Sequence, residues 1–283
     1  MLGPAARAAR GLLRGHHPSA ARGFSSVPDG ENSPKFERGY ELAAGLWRRS
    51  FGRLHKLSEY QNKGAFVDSL GSLAQCFLFI QLQLPKKTTV DLLEFVEGAQ
   101  KATEVNLRAM NSAAFPEFLA DKEKSSPQVA EMLQQFTTPA YYNQMALQVK
   151  KNYLHRNFYV ECAGVRVEEA QLAQVVYRRL TEEEYEDLVA FTKPPTGMSP
   201  HATVEHLRLH VDVATVEDLD IVYLEEKTRH VQHQNVYRVV FESRVTEPED
   251  VDWRIESMHI VEQKAIPRPE DTPAGASDEK KDK

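Results

Sequence analysis

The stretch that decides the fold runs from Asn235 to Gln263: NVYRVVFESRV (235–245), TEPEDVD (246–252) and WRIESMHIVEQ (253–263). Two runs rich in Val, Ile, Tyr, Phe and Trp flank a short polar segment, the pattern of a β-hairpin with a longer loop. In the first run Tyr237, Val239, Phe241 and Ser243 share one face, and Val236, Arg238, Val240 and Glu242 the other. The second run sets Trp253, Ile255 and Ser257 against Arg254, Glu256 and Met258, which leaves one mostly apolar face for a core. Pro248 has no N–H to donate, so it falls in the connection.

Upstream of the hairpin the order is helices first, strands last. Phe36, Tyr40, Ala43, Trp47, Phe51 and Leu54 recur at helical spacing and predict a helix over 36–57 with a narrow aromatic stripe. A second, mostly buried helix is expected from Ala65 to Leu84, stopped by Pro85. Thr88 is placed to cap a third, running to Met110, with Leu92, Val96, Ala99, Thr103, Leu107 and Met110 inward. Ser126-Pro127 and Thr138-Pro139 each read as an N-cap followed by proline at the first helical position. The second of these opens a helix with Tyr141, Met145 and Val149 on one side. A strand is expected over 158–167, and Thr181 to Glu184 is a capping box for a helix reaching Phe191. After a loop at 193–200, strands are expected at 203–213, 216–225, 231–245 and 252–262, with a turn at 226–232. Four successive strands with short connections predict an antiparallel meander covered by the preceding helices, an α+β fold.

The run YRVVFESRVTEPEDVDWRI resembles the terminal strands of a mitochondrial family with two branches. One is the import-motor tether of the inner-membrane translocase; the other is a membrane-facing protein of the large mitoribosomal subunit. The resemblance rests on the VVFE run, the polar connection with its proline, and the WRI opening of the last strand. It implies a conical domain of the nuclear-transport-factor-2-like type over residues 85–266, with an antiparallel β-sheet packed on helices.

The N-terminus points to the same compartment. Residues 1–28 contain no Asp or Glu and carry Arg7, Arg10, Arg14 and Arg22 among Ala, Leu, Gly and Ser. This is the composition of a mitochondrial presequence, or transit peptide. Cleavage is expected after Phe24 in RGFSS; a disordered basic tail is the alternative. Without those four arginines 31 basic residues face 41 acidic ones, a net charge near −10. Such a balance disfavours extensive contact with RNA and direct DNA binding, which require clustered cations. By this reading residues 29–84 form a helical segment suited to membrane association, and the Pro-rich, charged residues 267–283 a disordered tail.

The aromatic stripe is the candidate binding site. Phe36, Tyr40, Trp47, Arg48, Arg49, Phe51, Arg53 and Leu54 combine bulky apolar groups with cations, which suits an interfacial helix on an anionic leaflet such as the matrix face of the inner membrane. A helix docked on its own domain or on a partner is the alternative. Gly39, Gly45 and Gly52 weaken the free helix, so it requires a surface to fold against.

Chemistry is poorly represented. His206 and His210 share the polar face of one strand but stand about 13 Å apart at strand rise, too far for one metal. With His201, His230 and His233 they are expected at the surface. Tyr223, His206, Asp212 and His259 are the candidates for a catalytic cavity, yet no spacing pairs them, and no phosphate loop or nucleophile elbow is present. No catalytic, cofactor or metal site is assigned. Two cysteines, Cys76 and Cys162, make no disulfide framework. The expected function is a non-catalytic adaptor in protein import or biogenesis, contacting the translocase, a chaperone motor or the mitoribosome. The alternatives are a structural mitoribosomal subunit and a small-molecule-binding or enzymatic cone domain.

Overall fold

The computed structural model describes residues 39–121, 128–190, 201–224 and 228–266. Helices come first: α1 (Gly39–Phe51), α2 (Leu54–Asn62), α3 (Ser72–Leu82), α4 (Leu92–Met110), α5 (Ala114–Ala120), α6 (Gln128–Phe136) and α7 (Pro139–Arg156). Then follow β1 (Phe158–Leu180), α8 (Glu182–Ala190), β2 (Val204–Tyr223), β3 (Arg229–Arg244) and β4 (Arg254–Ala265). The strands form one open antiparallel sheet in the order β1-β2-β3-β4, so the fold is α+β.

Over the middle of β2 and β3 the inner face of the sheet is apolar by strict alternation. Leu207, Leu209, Val211 and Val213 of β2 and Val239 and Phe241 of β3 are fully buried. They meet α3 and α4 through Phe79, Leu82, Leu92, Phe95, Ala99 and Leu107. Phe95 sits edge-on to both Phe241 and Trp253, with ring centroids 5.5 and 4.8 Å away. Trp253 is 5 % exposed, as the hairpin pattern predicts, although it lies one residue ahead of β4. This core crosses the 84/85 boundary expected from sequence: Tyr60, Phe66 and Leu78 belong to it as fully as the strands do. A second, smaller core joins the end of α4 to α5, α6 and α7 through Phe115, Leu133, Tyr142 and Met145.

Several expectations are corrected. The helix expected over 65–84 begins only at Ser72, because residues 65–67 are recruited by the sheet. Val67 N–H donates to Leu172 O, Leu172 N–H donates to Ala65 O, and Phe66 bridges Leu172 in parallel. Gly64, at φ +64°, turns the chain into that position. The helix expected over 36–57 is divided by the turn at Gly52 and continues to Asn62. Asp91, not Thr88, caps α4, its carboxylate accepting from Leu93 N–H at 3.1 Å. The first expected strand extends to Leu180, and the two expected over 203–225 are one continuous β2. β3 begins at Arg229, inside the expected turn. Met258 is returned to the core side by an irregularity in the β3–β4 register, which pairs Phe241 with Ile255 but Val240 with Ser257.

The caps at Thr138 and Thr181 form as expected. Thr138 Oγ1 accepts from Tyr141 N–H, and Thr181 and Glu184 exchange the two hydrogen bonds of a capping box. The presequence, Phe36, Ser126-Pro127, the loop at 193–200 and the C-terminal tail lie outside the described residues.

Candidate functional site

The eight residues of the expected membrane site do not act as one face. Arg49 Nε donates to Gln83 O at 3.2 Å, and Arg53 donates to Gln83 Oε1 at 2.9 Å and to Thr89 Oγ1 at 3.2 Å. Lys56 continues this polar seam to Asp91 at 3.1 Å, and Ser50 is buried in it. The last turn of α1, the turn after it and the start of α2 therefore dock on and beyond the end of α3 through polar side chains. The aromatic side of α1 is left outward: Trp47 is 66 % exposed, Phe51 49 %, and their rings stack with centroids 4.0 Å apart. Leu54 is exposed beyond them, as are Leu73 and Phe77 on the neighbouring α3. Arg48 is exposed beside Trp47. Arg49 and Arg53, expected to face lipid, are thus straps to the domain. Phe36 lies outside the described residues and the Tyr40 side chain is likewise not described.

This polarity is unusual in physical terms. A surface helix normally buries its apolar stripe against the core and solvates its cations. Here hydrogen bonds hold the polar side in place, and the aromatic pair is presented to whatever lies outside.

The candidate catalytic residues are distributed over the outer face of the sheet and its end. His206 is fully buried, a correction to its expected surface position. The cause is α8, which lies over this end of the outer face. The Tyr185 ring lies tilted against that of His206, centroids 5.8 Å apart, and Arg244 lies over the Tyr185 ring, 5.9 Å from its centroid. His206 Nε2 is 2.8 Å from Glu242 Oε2, and Arg208 Nε donates to Glu256 Oε2 at 2.5 Å. Burial raises the Glu256 carboxyl above its ordinary value, opposed by the Arg208 charge. Burial, followed by the nearby Glu242, pushes Tyr185 up to about 12.

Further along the same face Asp212 is bidentate with Arg238, at 2.7 and 2.8 Å, and exposed His259 stands on the other side of Arg238 in register. His210 lies between the two clusters. Burial and the flanking Arg208 and Arg238 lower its pKa to about 4, and its Nε2 is buried without a hydrogen-bond partner. Tyr223 lies at the far end of β2 against Phe158, with centroids 5.9 Å apart. His201 and His230 are exposed, the latter paired with Asp220, while His233 is half-buried on β3. The four cavity candidates therefore do not converge. Among the described residues no group of three or more His, Cys, Asp or Glu is placed to hold a metal.

One polar cluster escaped the sequence reading. Glu217, Thr215, Asn235 and Tyr237 are buried on the inner face, in phase with Val213 and Val239. Glu217 accepts from Thr215 Oγ1 at 2.6 Å, Asn235 Nδ2 at 3.1 Å and Tyr237 OH at 3.1 Å. Three neutral donors converge on the one carboxyl group, while Asn235 Oδ1 is buried without a hydrogen-bond partner. Burial raises Tyr237 above the ordinary tyrosine range and pushes the neighbouring Tyr141 up to about 12. The signal was a polar residue at each inward phase of two adjacent strands.

No helix among the described residues is long and apolar enough to cross a membrane. Compared with known protein families and with curated proteins, the chain matches no family model and no curated sequence.

Proposed function

We propose that the protein is a non-catalytic adaptor attached peripherally to an anionic membrane surface through α1, at the matrix face of the mitochondrial inner membrane, where it serves protein import or protein biogenesis. The observation that carries this reading is the outward Trp47–Phe51 stack beside exposed Arg48, on a helix held in place by its polar side. Interfacial insertion of such a pair gains apolar burial without a change in the rest of the fold. The ion pairing of Asp212 with Arg238 and the burial of His206 against Glu242 support a structural role for the residues that a catalytic cavity would have used.

The test is flotation with cardiolipin-containing vesicles. The wild type floats, and the Trp47→Ser/Phe51→Ser variant does not while keeping its urea-unfolding midpoint. Each inserted aromatic contributes roughly 1.5–3 kcal/mol, so the loss is at least about 100-fold in partitioning. A wild type that stays in the aqueous fraction, or a variant that floats equally well, overturns the reading.

A further inference from the structure

We propose that the outer face of α7 is a docking site for an acidic amphipathic helix of a protein partner, separate from the α1 surface; the inference deepens the adaptor reading and rests on it for its role. Helix α7 contains no Asp or Glu in a chain that carries 41 of them, yet it bears Lys150, Lys151, His155 and Arg156. Lys101, Arg108 and Arg238, by contrast, each lie in a carboxylate pair. Lys150, Lys151 and Arg156 have none among the described residues, and all three are exposed.

The cations suit the C-terminal end of a helix dipole, which explains their sign. It does not explain the leucines between them. Tyr141, Tyr142 and Met145 already turn one side of α7 into the core, and Leu147 and Leu154 are exposed on the other. Leu147, Lys150, Lys151 and Leu154 fall at i, i+3, i+4 and i+7, one stripe two turns long. Just past the helix end Leu224 N–H donates to Asn157 O, which holds a further exposed leucine beside the C-terminus of α7.

The stripe offers apolar seats framed by unpaired positive charge. Its complement is a helix with apolar groups at i, i+3 or i+4, and i+7 flanked by carboxylates, packed helix on helix. The lipid surface is served from the other end of the sheet. Helix α1 is strapped to Gln83 near the β1 C-terminus, whereas α7 ends at the start of β1, next to Tyr223 and Leu224. One molecule then bridges a membrane and a protein.

The experiment places a benzoyl-phenylalanine photocrosslinker at position 147, and separately at 154, in the full chain expressed in its own cells. The crosslinked peptide is identified by mass spectrometry. The expected adduct is a peptide of another protein, net acidic, with the apolar spacing stated, and its yield falls at least about tenfold in Lys150→Glu/Lys151→Glu. The urea midpoint of that variant reports its fold; Lys150→Gln/Lys151→Gln replaces it if the reversal unfolds the protein. Adducts only with lipid, only with a second copy of this chain, only with neutral or basic peptides, or no adduct, each overturn the proposal. Vesicle flotation of the same variants separates the two readings. Unchanged flotation of Lys150→Glu/Lys151→Glu with lost crosslinking isolates the α7 site, and failed flotation of the wild type with retained crosslinking removes the membrane reading alone.

Discussion

The two faces of the sheet are built from the same strands and stabilised by different physics. On β2 the inward residues Leu207, Leu209, Val211 and Val213 are all apolar and fully buried. The outward ones, His206, Arg208, His210 and Asp212, are all ionisable. The inner face gains from area removed from water, a non-directional term that tolerates repacking. The outer face depends on particular partners, because each buried charge must be matched by a group at hydrogen-bond distance. The His206–Glu242 and Arg208–Glu256 links run diagonally, since in register His206 faces Arg244 and Arg208 faces Glu242. A one-residue slip would expose the apolar set and strand every one of those charges.

The largest break is expected on the inner side. Trp253→Ala removes a ring packed against Phe95 and costs on the order of 3–5 kcal/mol. Urea unfolding reads this as a lower midpoint at an unchanged slope. A loss below about 1 kcal/mol would show that the site refills and that the inner face is less dependent on this ring than its packing indicates.

A smaller break is expected outside. Glu242→Ala leaves His206 buried with neither ring nitrogen partnered, because Nδ1 already has none. That costs about 1–3 kcal/mol. Replacing both, as His206→Phe with Glu242→Leu, recovers part of the loss, since an apolar pair needs no partner. If the double variant is as unstable as the sum of its single changes, the outer face depends on packing and not on matched charge.

The smallest effect is a slope. His210 has a folded-state pKa lowered to about 4 from an ordinary 6.5. Between those values the unfolded chain binds a proton that the folded chain refuses, so this contribution falls as pH drops from 6.5 toward 4. Glu256 acts with the opposite sign: its raised pKa makes its contribution decline as pH rises above 4.5. His210→Asn removes only the first contribution, so the variant loses less stability than the wild type as pH drops from 6.5 toward 4. Equal slopes, measured by urea unfolding at stepped pH, would show that His210 protonates freely in the folded protein.

Local signals carried through where the chain itself satisfies them. Thr138-Pro139 and Thr181–Glu184 form caps because donor and acceptor lie three residues apart. The α4 face from Leu92 to Leu107 and the β3 face from Tyr237 to Phe241 are buried as their periods require. The second half of β1 was illegible because register shifts at 162/164, 167/169 and 172/174 reset the two-residue phase. No uniform alternation survives in EEAQLAQVVYRRL to be read.

The α+β order, the hairpin and the position of Trp253 in the core were thus determined by the sequence alone, through periodicity and near-neighbour bonding. Which residues of α1 face outward was decided only by tertiary structure. In sequence Trp47 and Phe51 read together with Arg49 and Arg53 as one interfacial face. Gln83, Thr89 and Asp91, some thirty residues away, draw the Arg49–Lys56 side inward instead. The same holds for His206, whose burial follows from α8 folding over it and Glu242 reaching it across the sheet. Such long-range pairings depend on register and layer order, which no local period encodes.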